Sequence, residues 1–197
     1  MYNGWYYAEP TFRLTEEEKE FNASKAMTIL RQNNFTIYAA AGVVGNMWAE
    51  SGMNPGQWEG DNPYHGGYGL VQWTPWSDYW PWPAGSTDWL NNGPREMERL
   101  IYERDNNLEF WHNTTTMPGW SWSRFCALVP EEGQTINSTI NLAAEVFVYR
   151  YLAPSDPAGS LANRQYHARY VYQHCPGSVI PTWLLFKWSK LNRRIYT

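Results

Sequence analysis

A chain of 197 residues with 43% hydrophobic residues is long enough for one domain with a sizeable core, or for one domain with an extension. Its net charge of −4, with no basic block and no zinc-finger spacing, argues against nucleic acid as a partner. No apolar run reaches the length of a membrane span, so membrane insertion is not expected. Charged residues are 17%, below the usual level of about a quarter, and 13 Trp and 14 Tyr fill part of the gap. So many rings cannot all be core. Some are expected half exposed, where an apolar face and a polar N–H meet a ligand.

The chain opens with an aromatic-rich arm over residues 1–14, followed by a body over 15–175 and a tail over 176–197. The N-terminus lacks the basic start and apolar core of a secretory signal, so synthesis in the cytoplasm without a cleaved leader is expected. Thr15 and Glu18 form a capping box for a helix running to about Arg31, with Phe21, Ala26, Met27 and Leu30 available for its buried face. Thr36 caps a second helix from Ile37. That helix is apolar nearly all round and should be central and buried. Gly42 and Gly45 weaken it, unless another backbone packs closely there. Ser51-Gly52 stops it, and Asn54-Pro55-Gly56 turns the chain.

Residues 53–75 read as an irregular or short β lobe. Prolines at 75, 81 and 83 make the stretch to Trp89 a loop with short turns. Pro94 starts a helix through Met97, Leu100, Ile101 and Leu108, with charged residues on its other face. A short helix is expected near Arg124–Val129. Thr135 to Tyr151 carries a helical stripe of Ile136, Ile140, Ala143, Ala144, Phe147, Val148 and Tyr151, ended by Pro154 and Pro157. A last amphipathic helix spans Leu161 to His174. The fold class is therefore mostly α (α+β), with a central buried helix and a small β lobe.

The chemistry centres on Glu50, near the C-terminus of the apolar helix. The negative end of the helix dipole and partial desolvation by neighbours such as Trp48 both favour a protonated carboxyl. A sugar-cleaving acid needs that state near neutral pH. A helix-end glutamate also serves as an ordinary cap or salt-bridge partner, and the residues alone leave both readings open. Glycosidases usually pair two carboxylates. Glu59 and Asp61 are the candidates for a water-activating base, with Asp78 further along. Asp61, in Gly60-Asp61-Asn62-Pro63, is equally a turn residue whose carboxylate bonds nearby groups. By the resemblance described below, Gln72 lines the sugar cleft; the alternative is an amide that braces the Glu50 helix end. Tyr68, Trp73, Trp58 and Tyr151 are candidate sugar-contact rings, with core packing as the alternative for each.

These motifs resemble known ones. Glu50-Ser51-Gly52-Met53-Asn54-Pro55 followed by Gly69-Leu70-Val71-Gln72 is similar to the Glu-Ser-Gly-x-Asn-Pro … Gly-Leu-x-Gln pattern of goose-type lysozymes and lytic transglycosylases. Gly45-Asn46-Met47-Trp48-Ala49-Glu50-Ser51, Trp58 and Gly67-Tyr68-Gly69-Leu70-Val71-Gln72-Trp73-Thr74-Pro75 extend the match to the phage tail lysozymes. The resemblance implies a lysozyme-like fold in which Glu50 is the general acid. The implied substrate is the glycan strand of peptidoglycan, cut between N-acetylmuramic acid and N-acetylglucosamine. It also implies a place in a phage tail, beside other tail proteins, with local opening of the host wall at infection. One departure stands out: the acid–Arg pair that the family often carries before the late proline is replaced here by Leu152-Ala153. Hydrolysis and formation of a 1,6-anhydro product by a lytic transglycosylase both fit.

Other chemistries find less support. His65 and Cys126 suggest a Cys–His peptidase, but no nucleophile motif surrounds Cys126 in its Phe-Cys-Ala-Leu run. Cys126 and Cys175 are expected as two reduced thiols rather than a disulfide. His65, His112, His167 and His174 have no metal-ligand spacing, and no phosphate or dinucleotide loop is present, so no metal and no cofactor is expected. A lysis-stage endolysin, or a non-catalytic glycan-binding or structural tail protein, are the alternative roles. Glu50 separates the last of these from an enzyme.

Overall fold

The structure, a computed structural model, describes residues 4–8, 12–62, 66–75, 92–110 and 115–177. The proline-rich loop expected after Trp76, the tail beyond Gly177, and His65, Asp78 and His112 lie outside the described residues.

The first helix, α1, is Glu16–Gln32 and opens on the expected capping box. Glu18 N–H donates to Thr15 Oγ1 at 3.3 Å, and Thr15 N–H donates to the Glu18 carboxylate at 2.9 Å. Ala23, Ala26, Met27 and Leu30 form its buried stripe. Phe21 departs from expectation: it is 38% exposed and meets Tyr6 edge-on, with ring centroids 5.2 Å apart. Phe21 thus packs against the arm at the surface rather than within the core. Asn22 brackets Tyr6, accepting its N–H and donating to its carbonyl, both at 2.9 Å. Asn54 brackets Ala8 in the same way, at 3.2 and 2.9 Å.

The second helix, α2, is Ile37–Ser51, and every residue from Ala39 to Trp48 is buried. Thr36 caps it and also donates to Leu128 O at 2.6 Å, tying its start to the segment after the short fourth helix. The left-handed Gly52 ends it. Around α2 pack α1, α5 (Ile136–Phe147) and α6 (Pro157–His174). Glycines allow this closeness. A Cβ on Gly42 would sit 2.6 Å from the Ala143 backbone, and one on Gly45 would sit 2.4 Å from Ala168 N. Contacts along the α2–α6 seam pair Tyr38 with Tyr172, Gly45 with Ala168 and Trp48 with His167, so the two helices run antiparallel.

The third helix, α3, is Asn92–Asp105, beginning two residues before Pro94 and ending before Leu108, which is 38% exposed. Its buried face, with Met97 and Leu100, also carries two carboxylates. Glu96 and Glu103 are both buried, because each finds protein donors there. The short α4 is Trp122–Cys126. It sets Trp122 and Phe125 against Phe110, Phe147 and Tyr151 in an aromatic cluster. Ile136, at the first turn of α5, is exposed at 46%, although the stripe behind it is buried.

From Phe147 the chain does not stop. It passes into a π turn over Val148–Leu152 and ends at Ala153, with φ +42°. Tyr151 keeps to the core through this turn and stacks on Phe147, with centroids 4.7 Å apart. Pro157 occupies the first turn of α6, capped by Asp156, so it opens a helix rather than closing one. Among the described residues, no helix is long and apolar enough to cross a membrane.

The β lobe is small. It consists of a tight turn at Glu59–Asp61 and two isolated antiparallel bridges, Trp58 to Tyr68 and Tyr68 to Trp73. Tyr68 and Trp73 exchange backbone hydrogen bonds at 3.1 and 3.0 Å. The short reversal between them needs left-handed backbone at Gly69 (φ +82°) and at Gln72 (φ +54°).

Candidate active site

Three elements meet at the C-terminal end of α2. The helix supplies Glu50, the lobe supplies one wall and the segment after the π turn supplies the other. Between them lies a cleft of about 420 Å³. Gln57, Trp58, Glu59, Val71 and Gln72 line the lobe side, and Leu152 to Ser155 line the opposite side. Leu152 and Ala153, the pair that departs from the acid–Arg pattern noted in the sequence, are thus an apolar stretch of the cleft wall.

Glu50 faces this cleft with 19% of its side chain exposed. Its Oε1 accepts a hydrogen bond from Arg164 Nη2 at 2.7 Å. Sequence reasoning missed Arg164. Its one visible signal was a cation one turn ahead of the small Ala168, on a helix that has to pack against Gly45. The guanidinium thus sets a positive charge directly against the Glu50 carboxylate.

The two other carboxylates near the lobe differ in position. Glu59 lines the cleft, and one of its oxygens accepts Gly67 N–H at 2.7 Å. Asp61 is not part of the lining. It is bonded by Arg13 at 2.8 Å and by Gln57 Nε2 at 2.8 Å, and these bonds hold its carboxyl below the usual range. The arm, through Arg13, thereby occupies the Asp61 carboxylate.

Gln72 lies in the cleft wall while its amide is turned back into the lobe, donating to Gly69 O at 2.8 Å and Gln57 O at 3.1 Å. The amide therefore braces the lobe itself rather than the Glu50 end of α2, while residue 72 remains part of the cleft lining. Trp58 contributes to the lining but is almost wholly buried, with its ring centroid 4.3 Å from that of Tyr68. Tyr68 and Trp73 sit behind it in the lobe's interior. Tyr151 does not face Glu50. Its hydroxyl donates to the Glu103 carboxylate, inside the aromatic cluster.

A buried carboxyl supports the lobe from behind. Leu70 N–H donates to Glu96 Oε2 at 2.6 Å, while Oε1 has no partner among the described residues. Burial pushes the Glu96 carboxyl well above the usual carboxylate range. An acid raised in the folded state holds its proton where the unfolded chain has lost it. Its contribution to stability is therefore complete below the ordinary value of 4.5 and declines as pH rises from there toward the folded value. Glu96→Gln mimics the neutral acid. The variant should melt with the wild type near pH 4 and at higher temperature than the wild type by about pH 8. Calorimetric melting across that range checks this, and a constant difference between the two proteins refutes a neutral buried acid.

The thiols show no activation. Cys126 and Cys175 are both free and buried, and desolvation pushes each thiol up to about 11.

A buried helix that delivers one carboxyl to a cleft, faced by a small lobe of glycines, amides and rings, defines a lysozyme-like protein. The chain belongs to the phage tail lysozyme family, whose sequence profile matches residues 21–174. It is also similar to morphogenesis protein 1 of Bacillus phage B103, at 29% identity over 156 residues. The matched stretch covers 77% of this chain and 39% of that protein's length.

Proposed function

We propose that this protein cleaves the glycan strands of peptidoglycan between N-acetylmuramic acid and N-acetylglucosamine, with Glu50 as general acid. One observation carries the reading: Glu50 ends the buried helix at a cleft about 420 Å³ in volume, inside the stretch that matches the family. Glu50 protonates the glycosidic oxygen, the C1–O bond breaks toward the leaving sugar, and positive charge develops at C1 and the ring oxygen. Glu59 serves better than Asp61 as the second carboxylate, since it lines the cleft while Asp61 is bonded outside it by Arg13. From there it activates a water to capture C1. The biological setting is local wall opening by a tail component at the start of infection. The similarity to a phage morphogenesis protein supports an assembled virion part over a lysis-stage enzyme.

Digestion of purified Gram-positive walls, followed by mass spectrometry of the soluble muropeptides, tests the reaction. Reducing muramic ends are expected. Anhydro-muramic ends would replace Glu59's role with attack by the muramic 6-hydroxyl. Absence of any released glycan fragment would remove the enzymatic reading and leave a glycan-binding tail protein.

A further inference from the structure

Arg164 is 5% exposed, yet each of its guanidinium nitrogens has a polar acceptor. Nε donates to Ser160 Oγ at 2.9 Å, one turn earlier on α6. Nη1 donates to Asn46 Oδ1 at 3.0 Å, and Nη2 donates to Glu50 Oε1 at 2.7 Å. Asn46 is itself fully buried, and its orientation is fixed. Its Nδ2 donates to Gly42 O at 2.8 Å and to Ala144 O at 3.1 Å, so only Oδ1 is left to face the arginine. The guanidinium is therefore locked in plane by α2, α5 and α6 together.

This lock is one-sided at Glu50. Arg164 engages Oε1, and among the described residues no hydrogen-bond donor reaches Oε2, on a side chain that lines the cleft. We propose that Arg164 is the positioning residue of the acid: it holds Oε1 as an acceptor, so that the proton given to the glycan travels on Oε2, and its charge sets the pH above which the acid is lost. The inference rests on the general-acid reading of Glu50. In the forward step Oε2–H passes its proton to the glycosidic oxygen, and the bonding pair of C1–O stays with that oxygen. The nucleophile that captures C1, a water or a 6-hydroxyl, loses a proton that restores the cleft's carboxyl. A guanidinium fits this duty because it donates to either form of Glu50 and never gives up its own proton.

Other titratable groups stand on the elements packed against the pair. From α1, Lys19 reaches toward Gly52 while pairing with Glu16 at 2.7 Å. From α6, His167 stacks on Trp48, and burial lowers its imidazole. From α5, Glu145 is partly buried and raised by desolvation. From the lobe, Glu59 lines the same cleft. Arg164 is the group in direct contact, so its removal should dominate.

The test uses the whole chain with ¹³C-labelled glutamate. Glu50 is assigned by its loss in Glu50→Gln and titrated by NMR, and kcat/KM on purified peptidoglycan is followed against pH. In Arg164→Gln the Glu50 midpoint should rise by about one to two pH units, and the alkaline limb of kcat/KM should rise with it. Peak activity should fall about tenfold to a hundredfold. Arg164→Lys keeps a cation but not the planar fork. It should hold the midpoint within about half a unit and still lose most of the rate. An unmoved Glu50 midpoint in Arg164→Gln, or full activity in Arg164→Lys, overturns the proposal. Because Arg164→Lys keeps a cation in the same pocket, its rate decides the positioning role even if Arg164→Gln does not fold. A wild type that cleaves nothing overturns the proposed function instead, and is told apart because the Glu50 midpoint still moves in Arg164→Gln.

Discussion

Glu50→Gln should lower the rate of wall-turbidity loss by about a thousandfold, while the protein remains folded and still sediments with peptidoglycan. A positioned general acid contributes about 10²- to 10⁴-fold, and glutamine has no proton to give at this position. Its amide oxygen can still accept from Arg164 Nη2, so the contact that closes the α2–α6 seam survives. Glu50→Ala is different in kind. It leaves a guanidinium with 6% of its side chain exposed facing neither counter-charge nor acceptor at Nη2, and breaking such a pair costs about 3 kcal/mol. The glutamine variant is thus the cleaner probe of chemistry, and the alanine variant reads chemistry and stability together. Turbidity assays paired with thermal melts separate the two. Equal activity in wild type and Glu50→Gln would sink the assignment of Glu50.

Gly45→Val should be the most damaging substitution in the scaffold, costing at least about 3 kcal/mol and often preventing folding at 37 °C. The first added carbon alone would lie 2.4 Å from Ala168 N and 2.5 Å from Ala168 Cα. Both are backbone atoms of a packed helix, so neither can step aside as a flexible side chain would. The seam must open, and Arg164 is on the helix that moves. Gly52→Ala is the contrasting case. Its Cβ would have room, the nearest atom being Lys19 Cε at 3.7 Å, and only the left-handed backbone (φ +57°) penalises it, by about 1 to 2 kcal/mol. Urea unfolding of both variants should therefore give a much lower midpoint for Gly45→Val. Similar midpoints would show that α2 and α6 can separate without penalty.

The helices were legible where local chemistry decides them. Thr15, Thr36 and Gly52 mark ends by hydrogen bonds and backbone preferences that act within a few residues. The unbroken apolar character of α2 could only mean burial on all sides. Burial that depends on distant partners was less readable. Phe21 and Ile136 fit an apolar stripe yet stay exposed, while Glu96 and Glu103 look solvated yet are buried beneath a lobe and an aromatic cluster. The same holds for the site. Glu50 could be picked out because a carboxyl at the end of an apolar helix is unusual. Arg164 stands 114 positions away, and the small Ala168 one turn beyond it hints only at close packing, not at contact with Glu50. The competing roles of Asp61 hinged on Arg13, a residue of the arm that no local pattern connects to the lobe.

The π turn at Val148–Leu152 works as a phase shifter between core and cleft. A helix continued in α register past Phe147 would keep placing successive side chains at about 100° intervals, and the residues after Tyr151 would follow the aromatic cluster's own rotation. The one extra residue per turn lets Tyr151 stay stacked on Phe147 while the chain that follows swings outward. Leu152 to Ser155 can then form the cleft's far wall before α6 begins. The width of the cleft is thus set by a count of residues rather than by their identity. A single deletion between 148 and 152 should restore a regular helix, leave the core nearly intact and rotate the wall out of reach of Glu50. An insertion in the loop after Pro154 should leave that phase unchanged.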